Sequence, residues 1–415
     1  MTDPLQAEDL AAFARSLGVR GSVTDRSSLA QTNQPPLTLL AASARLLGLG
    51  PVLPSAIAEY IVGLSRLAPD EARAVLGRIR RLDDWGPVWL EEAERRRAAA
   101  EGHEKAGALC AAWEAWSAVL ACQRMALFAD GLVVPAPTAD QHWYTYQALR
   151  RTHGQLWRLE GRPVHELLIP GPEEKIPALF HLPGDGLTGV PTVVLLHGLS
   201  GYKEYKDHQA LPLRDAGYAT LCIDMPAHGE RYFGRRLRPH EEPECLAALD
   251  WLAAQPEVDP QRVALMGGSM GGYWALRSAA AAAPARACVA LATPYALGLG
   301  NPAAWSARRR PKGNRIPFLL QEFARVMGTA DPNALVEMAA QFTLEGRLSA
   351  VRCPLFLGHG TQDRTVPFSE LWRLAREAPA EATRLHAYEG ADHELAGPAW
   401  EQMPPILEWL EEALA

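Results

Sequence analysis

The stretch Val263-Ala264-Leu265-Met266-Gly267-Gly268-Ser269-Met270-Gly271-Gly272-Tyr273 leaves this chain little choice of fold. An apolar, β-prone run leads into Gly-x-Ser-x-Gly, and an alanine-rich helical pattern follows at once. A serine on so short a strand-to-helix turn sits in a strained backbone. The glycines at 267 and 271 let strand and helix approach closely while the hydroxyl projects outward. The helix that starts at Met270 aims its free N–H groups at the same place. Gly-x-Ser-x-Gly is a common pattern, and a glycine-rich βα loop with an incidental serine is the plain alternative, so the rest of the chain has to decide.

Downstream of about residue 160, strand and helix patterns alternate. Strands are expected at Pro163–Ile169, Lys175–His181, Thr192–Leu196, Ala219–Asp224, Arg262–Met266, Ala287–Ala292, Pro354–Gly358 and Thr383–Tyr388. Helical patterns separate most of them: Lys203–Ala216, Pro243–Ala254, Met270–Ala283, Pro367–Glu377 and Ala399–Leu414. Several strands are short continuous apolar runs, the mark of strands buried on both faces. The expected fold is therefore α/β, a mostly parallel sheet with helices on both faces. The first two strands, joined by Pro170-Gly171-Pro172-Glu173-Glu174, read as a hairpin.

Upstream of residue 160 there is almost no strand signal. Leu5–Leu17, Pro36–Leu47, Ser55–Leu67, Pro69–Arg81, Val88–Ala100, Lys105–Phe128 and Thr138–His153 carry apolar residues at helical spacing. The chain of 415 residues thus divides into an all-helical N-terminal domain, 1–160, and an α/β domain, 161–415. Residues 294–347 interrupt the alternation and form a candidate lid or pocket wall. They carry the basic run Arg308-Arg309-Arg310-Pro311-Lys312-Gly313-Asn314-Arg315, which reads as a solvated loop or an attractor for an anionic substrate, and two helical patterns, Pro317–Val326 and Pro332–Phe342. The aromatics Trp113 and Trp116, three apart on one helical face, read as packing or as part of a pocket roof.

A serine hydroxyl needs a base, and the base needs an orienting acid. Two later segments supply both. The strand Leu355–Gly358 runs into His359-Gly360-Thr361-Gln362-Asp363, which puts an acid just past a strand end. The next strand runs into Glu389-Gly390-Ala391-Asp392-His393-Glu394. Ser269, Asp363 and His393 are the expected nucleophile, acid and base. Asp392 adjoins the histidine and ranks below Asp363, because it cannot easily reach round to the ring. An oxyanion hole requires two backbone N–H groups. Met270 and Leu199, the latter within His197-Gly198-Leu199-Ser200-Gly201, are the expected donors. His197 and His228 read as braces. Tyr202, Tyr273, Tyr295 and Trp305 are candidate pocket residues, with packing an equal explanation for each.

With these motifs in view, the C-terminal part resembles the α/β-hydrolase superfamily. The likeness is carried by Leu196-His197-Gly198, Gly267-Gly268-Ser269-Met270-Gly271-Gly272, Gly358-His359-Gly360-Thr361-Gln362-Asp363 and Gly390-Ala391-Asp392-His393. More narrowly, the helical N-terminal half, Gly198-Leu199-Ser200-Gly201-Tyr202-Lys203-Glu204 and Leu344-Glu345-Gly346-Arg347-Leu348 resemble the FrsA-like esterase group that includes 2,6-dihydroxypseudooxynicotine hydrolase. The resemblance implies a helical domain capping the active site and often a homodimer. A carbon–carbon bond hydrolase of that group is expected to draw an extra carboxylate from the segment after the sixth core strand. Pro294–Gln321 has no Asp or Glu. That departure favours hydrolysis of a carboxylic ester through an acyl-enzyme over cleavage of a carbon–carbon bond in a β-diketone-like substrate. A peptidase or amidase, and a binding protein with a vestigial site, are the other readings.

The remaining expectations come from composition. A formal net charge of −7 argues against nucleic acid as a partner. No apolar run is long enough to span a bilayer, and the acidic start Met1–Asp9 has no signal-peptide pattern. Six scattered cysteines without a Cys-x-x-Cys pair suggest reduced thiols in a cytoplasmic protein. No metal-ligand motif is present, so the expected partner is a small-molecule substrate, without metal or cofactor.

Overall fold

The computed structural model describes residues 12–13, 15–17, 47–48, 58, 61–63, 65–127, 138–161, 164–281, 284–297, 318–329, 331–363, 365–379, 382–395 and 402–415. The basic run 308–315, Trp305 and most of the helical patterns before residue 65 lie outside the described residues. The chain divides into two compact units. One comprises 33–162 with 308–323, and the other 1–32, 163–307 and 324–415.

The first unit is helical in its described part. It contains α1 (Pro69–Arg78), α2 (Trp85–Lys105), α3 (Leu109–Leu127) and α4 (Ala139–Glu160). Helical periodicity runs unbroken from Lys105 to Phe128, yet the chain breaks at Ala106-Gly107-Ala108. Gly107 takes φ +70°, its N–H donates to Glu104 O, and Ala108 N–H donates to His103 O. This glycine cap ends α2 and lets α3 fold back on it. Trp85 and Trp89 fill the space between, and the Trp85 indole donates to Met125 O at 2.6 Å. α4 is bounded by a capping box of Thr138 and Gln141 and by Gly161 at φ +70°. Of the two aromatics on α3, Trp116 is buried and Trp113 is exposed.

The second unit is built on one eight-stranded sheet: β1 (Val164–Ile169), β2 (Ile176–His181), β3 (Val190–Leu196), β4 (Ala219–Ile223), β5 (Val258–Gly268), β6 (Ala287–Leu291), β7 (Leu355–Gly360) and β8 (Thr383–Tyr388). Their spatial order is β1-β2-β4-β3-β5-β6-β7-β8. β3 to β8 are parallel, and the hairpin β1-β2 pairs antiparallel on β4. The expected mostly parallel sheet is thus observed. β5 starts four residues earlier than its apolar run, because Val258 pairs with Val190 ahead of a register shift that brings Thr192 opposite Val263.

Helices cover the sheet: α5 (Asp207–Asp215), α6 (Glu242–Ala253), α7 (Met270–Ala280), α10 (Ser369–Glu377) and α11 (Met403–Ala413); in chain order α8 (Phe318–Met327), whose residues are divided between the two units, and α9 (Pro332–Ala339) fall between β6 and β7. Alternate residues Val193, Leu195, Ala264, Met266, Val289 and Leu291 form one apolar face. It is closed by Ala210 and Leu213 of α5 and Ile406, Trp409 and Leu410 of α11. Each such Val, Leu, Ile or Met side chain contributes about 1.5–3 kcal/mol by leaving water. Phe13 also belongs to this unit, its ring edge-on to Trp372 of α10 at 4.4 Å. Among the described residues no helix is long and apolar enough to cross a membrane.

In a parallel sheet the strand ends gather the loops on one edge. Here that edge also gathers backbone strain. Of the five non-glycine residues at positive φ among the described residues, four follow strand ends: Ala227 after β4, Ser269 after β5, Ala292 after β6 and Leu395 after β8. Strain of this kind costs on the order of 1–3 kcal/mol per residue and persists where the surroundings enforce it.

Candidate active site

Ser269 stands between β5 and α7 at φ 55°, ψ −123°. Its N–H donates to Leu291 O of β6 at 2.8 Å, and its carbonyl accepts from Tyr273 N at 3.1 Å. The tightness of the turn explains its glycines. A Cβ on Gly267 would lie 2.2 Å from the Gly271 carbonyl carbon, and one on Gly271 would lie 2.2 Å from Leu196 O. No side chain fits at either place, so the start of α7 rests directly on the end of β3. Met270 is the first residue of α7, so its N–H has no intrahelical acceptor.

The loop after β3 meets the serine. A Cβ on Gly198 would stand 3.5 Å from Ser269 Cβ. Two histidines hold this loop. His197 Nε2 accepts the Met225 N–H at 3.1 Å, so the ring hydrogen is on Nδ1, which donates to Gly198 O at 2.7 Å. The Gly198 carbonyl and the Leu199 N–H share one peptide plane, so this bond sets the direction of the N–H expected to face an oxyanion. His228 Nε2 contacts Leu199 O, and its Nδ1 lies 2.8 Å from Pro226 O. The two imidazoles are 4.9 Å apart, and both stand edge-on to Trp274. Burial, with a smaller opposing effect from the Gly198 bond, pushes His197 down to about 4. Burial first, then the neighbouring His197 and Arg325, push His228 well below the ordinary histidine range. Both are placed as braces.

Asp363 and His393 are in direct contact. His393 Nδ1 lies 2.8 Å from Asp363 Oδ2. Asp363 is fully buried, and its other oxygen accepts the N–H groups of Thr365 and Val366, each at 2.8 Å. Burial alone would raise this carboxyl. The His393 imidazole and the hydrogen bonds from His359 and His393 outweigh it and hold Asp363 well below the usual carboxylate range. An ionised acid fixes the hydrogen of His393 on Nδ1 and leaves Nε2 as the basic nitrogen. Asp392 instead binds within its own loop, where its Oδ1 accepts the Glu394 N–H at 3.1 Å. Burial, helped by Glu394, pushes its carboxyl up to about 6.

The candidate pocket aromatics have defined partners. Tyr202 is buried and packs edge-on to Tyr205. The Tyr273 hydroxyl donates to Pro239 O and accepts from Arg277. The Tyr295 hydroxyl donates to Glu377 at 2.7 Å, and Arg373 lies over its ring. Tyr205, which the sequence patterns did not single out, donates to Glu394 at 3.2 Å and so ties the loop after β3 to the loop bearing His393.

A buried ion cluster likewise escapes the sequence patterns. Lys203 Nζ contacts Glu230 at 2.7 Å, Glu204 at 2.8 Å and Asp224 at 3.3 Å. Asp224 also accepts the N–H groups of Lys203 and Glu230. Burial opposes the Lys203 charge, but the three carboxylates outweigh it and raise its pKa. The cluster pins the loop after β3 to the loop after β4. Its signal in the sequence is an acid, Asp224, closing an apolar strand, and a Lys-Glu pair directly after a glycine-rich loop. Among the described residues no group of His, Cys, Asp and Glu side chains is arranged to hold a metal ion.

Residues 193–405 match the alpha/beta hydrolase family. The chain is 27% identical over 231 residues to 2,6-dihydropseudooxynicotine hydrolase of Paenarthrobacter nicotinovorans, covering 55% of this chain and 58% of that protein. It is 32% identical over 245 residues to Hydrolase ORFZ of Pyricularia oryzae, covering 54% and 56%. The chain therefore spans little more than half the length of these two relatives. In structure it resembles 2,6-dihydroxy-pseudo-oxynicotine hydrolase, with a TM-score of 0.69 at 21% identity over 86% of this chain and 96% of that one, a likeness of fold.

Proposed function

Because the chain belongs to the alpha/beta hydrolase family, we propose that it is a serine hydrolase that cleaves a small-molecule carboxylic ester through an acyl-enzyme. The observation that carries this reading is the 2.8 Å contact between Asp363 and His393, on the same strand edge as a serine held at φ 55°. Ser269 attacks the ester carbonyl while His393 Nε2 takes its proton. The Met270 and Leu199 N–H groups receive the negative charge that develops on the carbonyl oxygen. The alcohol leaves with the proton from His393. Water activated by the same nitrogen then releases the acid and restores Ser269.

The segment after β6 supports an ester over a carbon–carbon bond, because Pro294–Gln321 contains no carboxylate to assist the latter. A substrate panel tests the choice: p-nitrophenyl esters of graded acyl length, a β-diketone and a p-nitroanilide. The expected result is turnover of the esters, with kcat/KM varying with acyl length and the other two substrates at least about 100-fold slower. Faster turnover of the β-diketone or the anilide replaces the ester reading.

A further inference from the structure

His359 lies at the end of β7, four residues before Asp363, and the reaction outlined above gives it no role. It is fully buried, and its Nε2 lies 3.3 Å from Asp363 Oδ2, the same oxygen that receives His393 Nδ1. Nε2 also lies 3.0 Å from Val366 O. A carbonyl only accepts, so the hydrogen is on Nε2 and is shared between the carbonyl and the carboxylate. Among the described residues His359 Nδ1 has no hydrogen-bond partner, consistent with that tautomer. The Phe368 ring stands edge-on to the imidazole at 5.9 Å and closes its other side with apolar surface.

We propose that His359 is a positioning residue, which donates a second side-chain hydrogen bond to Asp363 and thereby sets both the placement and the basicity of His393. The inference rests on the serine-hydrolase reading and deepens it. Four hydrogen-bond donors converge on the Asp363 carboxylate: Thr365 and Val366 N–H on Oδ1, and His393 and His359 on Oδ2. The three besides His393 fix the plane of the carboxylate, so that Oδ2 faces the His393 ring. The His359 N–H also withdraws charge from the oxygen that stabilises the His393 imidazolium. Without it, Oδ2 holds more charge and less fixed geometry. His393 then becomes easier to protonate and less well aimed. Charged groups of the same loop include Asp392, which interacts with His393, and Glu394, which accepts from the Tyr205 hydroxyl. They are unchanged by substitution at 359, so their contribution cancels in a comparison of variants.

The test is the pH dependence of Ser269 labelling by a fluorophosphonate in the full chain, wild type against His359→Phe and His359→Gln, with near-ultraviolet circular dichroism as the check on folding. In His359→Phe the acid limb is expected to move up by about half to one pH unit, and the plateau rate to fall about 3–10-fold. His359→Gln keeps an N–H donor and should recover most of both. If the phenyl ring prevents folding, His359→Met removes the donor with a more adaptable side chain and carries the same comparison. A wild-type midpoint and plateau in the folded donor-free variant overturns the proposal. So does an equal loss in the Gln and donor-free variants without a shift of midpoint, since that is what a purely structural histidine produces. Absence of labelling in the wild type contradicts the serine-hydrolase reading itself, and this inference falls with it.

Discussion

Ser269→Ala is expected to lower kcat for a short p-nitrophenyl ester by about 10⁴–10⁶-fold, leaving only the residual catalysis of the oxyanion hole and of binding, with the fold intact. The size follows from the role: without the hydroxyl no acyl-enzyme forms, and His393 has no proton to take. The fold should survive because alanine keeps the Cβ and removes one partly exposed oxygen. The Ser269 N–H to Leu291 O and the Tyr273 N–H to Ser269 O are backbone bonds and are untouched. The positive φ at 269 remains and is no worse for alanine than for serine. Stability should change by no more than about 0.5 kcal/mol, measured by urea unfolding. Turnover within a few-fold of wild type would remove Ser269 from the reaction.

Asp363→Asn is expected to lower kcat by about 10³–10⁴-fold while leaving KM within a few-fold. An asparagine has one oxygen where the carboxylate has two. The N–H groups of Thr365 and Val366 demand an acceptor at Oδ1, so the amide oxygen goes there. The NH₂ group then faces His393 Nδ1 and His359 Nε2. His393 can accept from it only by moving its own hydrogen to Nε2, which is no longer a base. The His359 N–H is left against a donor, and the mismatch costs about 1–3 kcal/mol of stability. Steady-state kinetics on the best ester, with urea unfolding alongside, checks both parts. A variant with full kcat means that another group orients the base.

The sheet was legible because its strands announce themselves as short apolar runs, and three of them end in glycine-rich turns that carry a serine, an acid and a histidine in that order. Ser269, Asp363 and His393 could be picked out for that reason. Less legible was whatever depends on a single backbone angle or on side chains far apart in sequence. Gly107 sits in an otherwise helical pattern and ends α2 through its positive φ. The early start of β5 at Val258 comes from pairing with Val190, a partner that periodicity cannot see. The Lys203 cluster joins residues up to 27 positions apart, and charged residues read singly as solvent-facing. His359 reads as part of a Gly-His-Gly turn, and only the fold brings its Nε2 onto Asp363. Tyr273 and Tyr295 read equally as pocket or packing residues in the sequence, and the fold adds the partners of their hydroxyls, Pro239 and Glu377.

The central claim is that Ser269 is a nucleophile activated by His393, and the most direct test is peptide mapping by mass spectrometry after treatment of the folded protein with a fluorophosphonate. The expected result is one adduct, on Ser269, absent from the acid-unfolded chain and slowed at least about 10³-fold in His393→Ala. An unmodified Ser269 in the folded wild-type protein, or labelling that proceeds equally fast without His393, would contradict it.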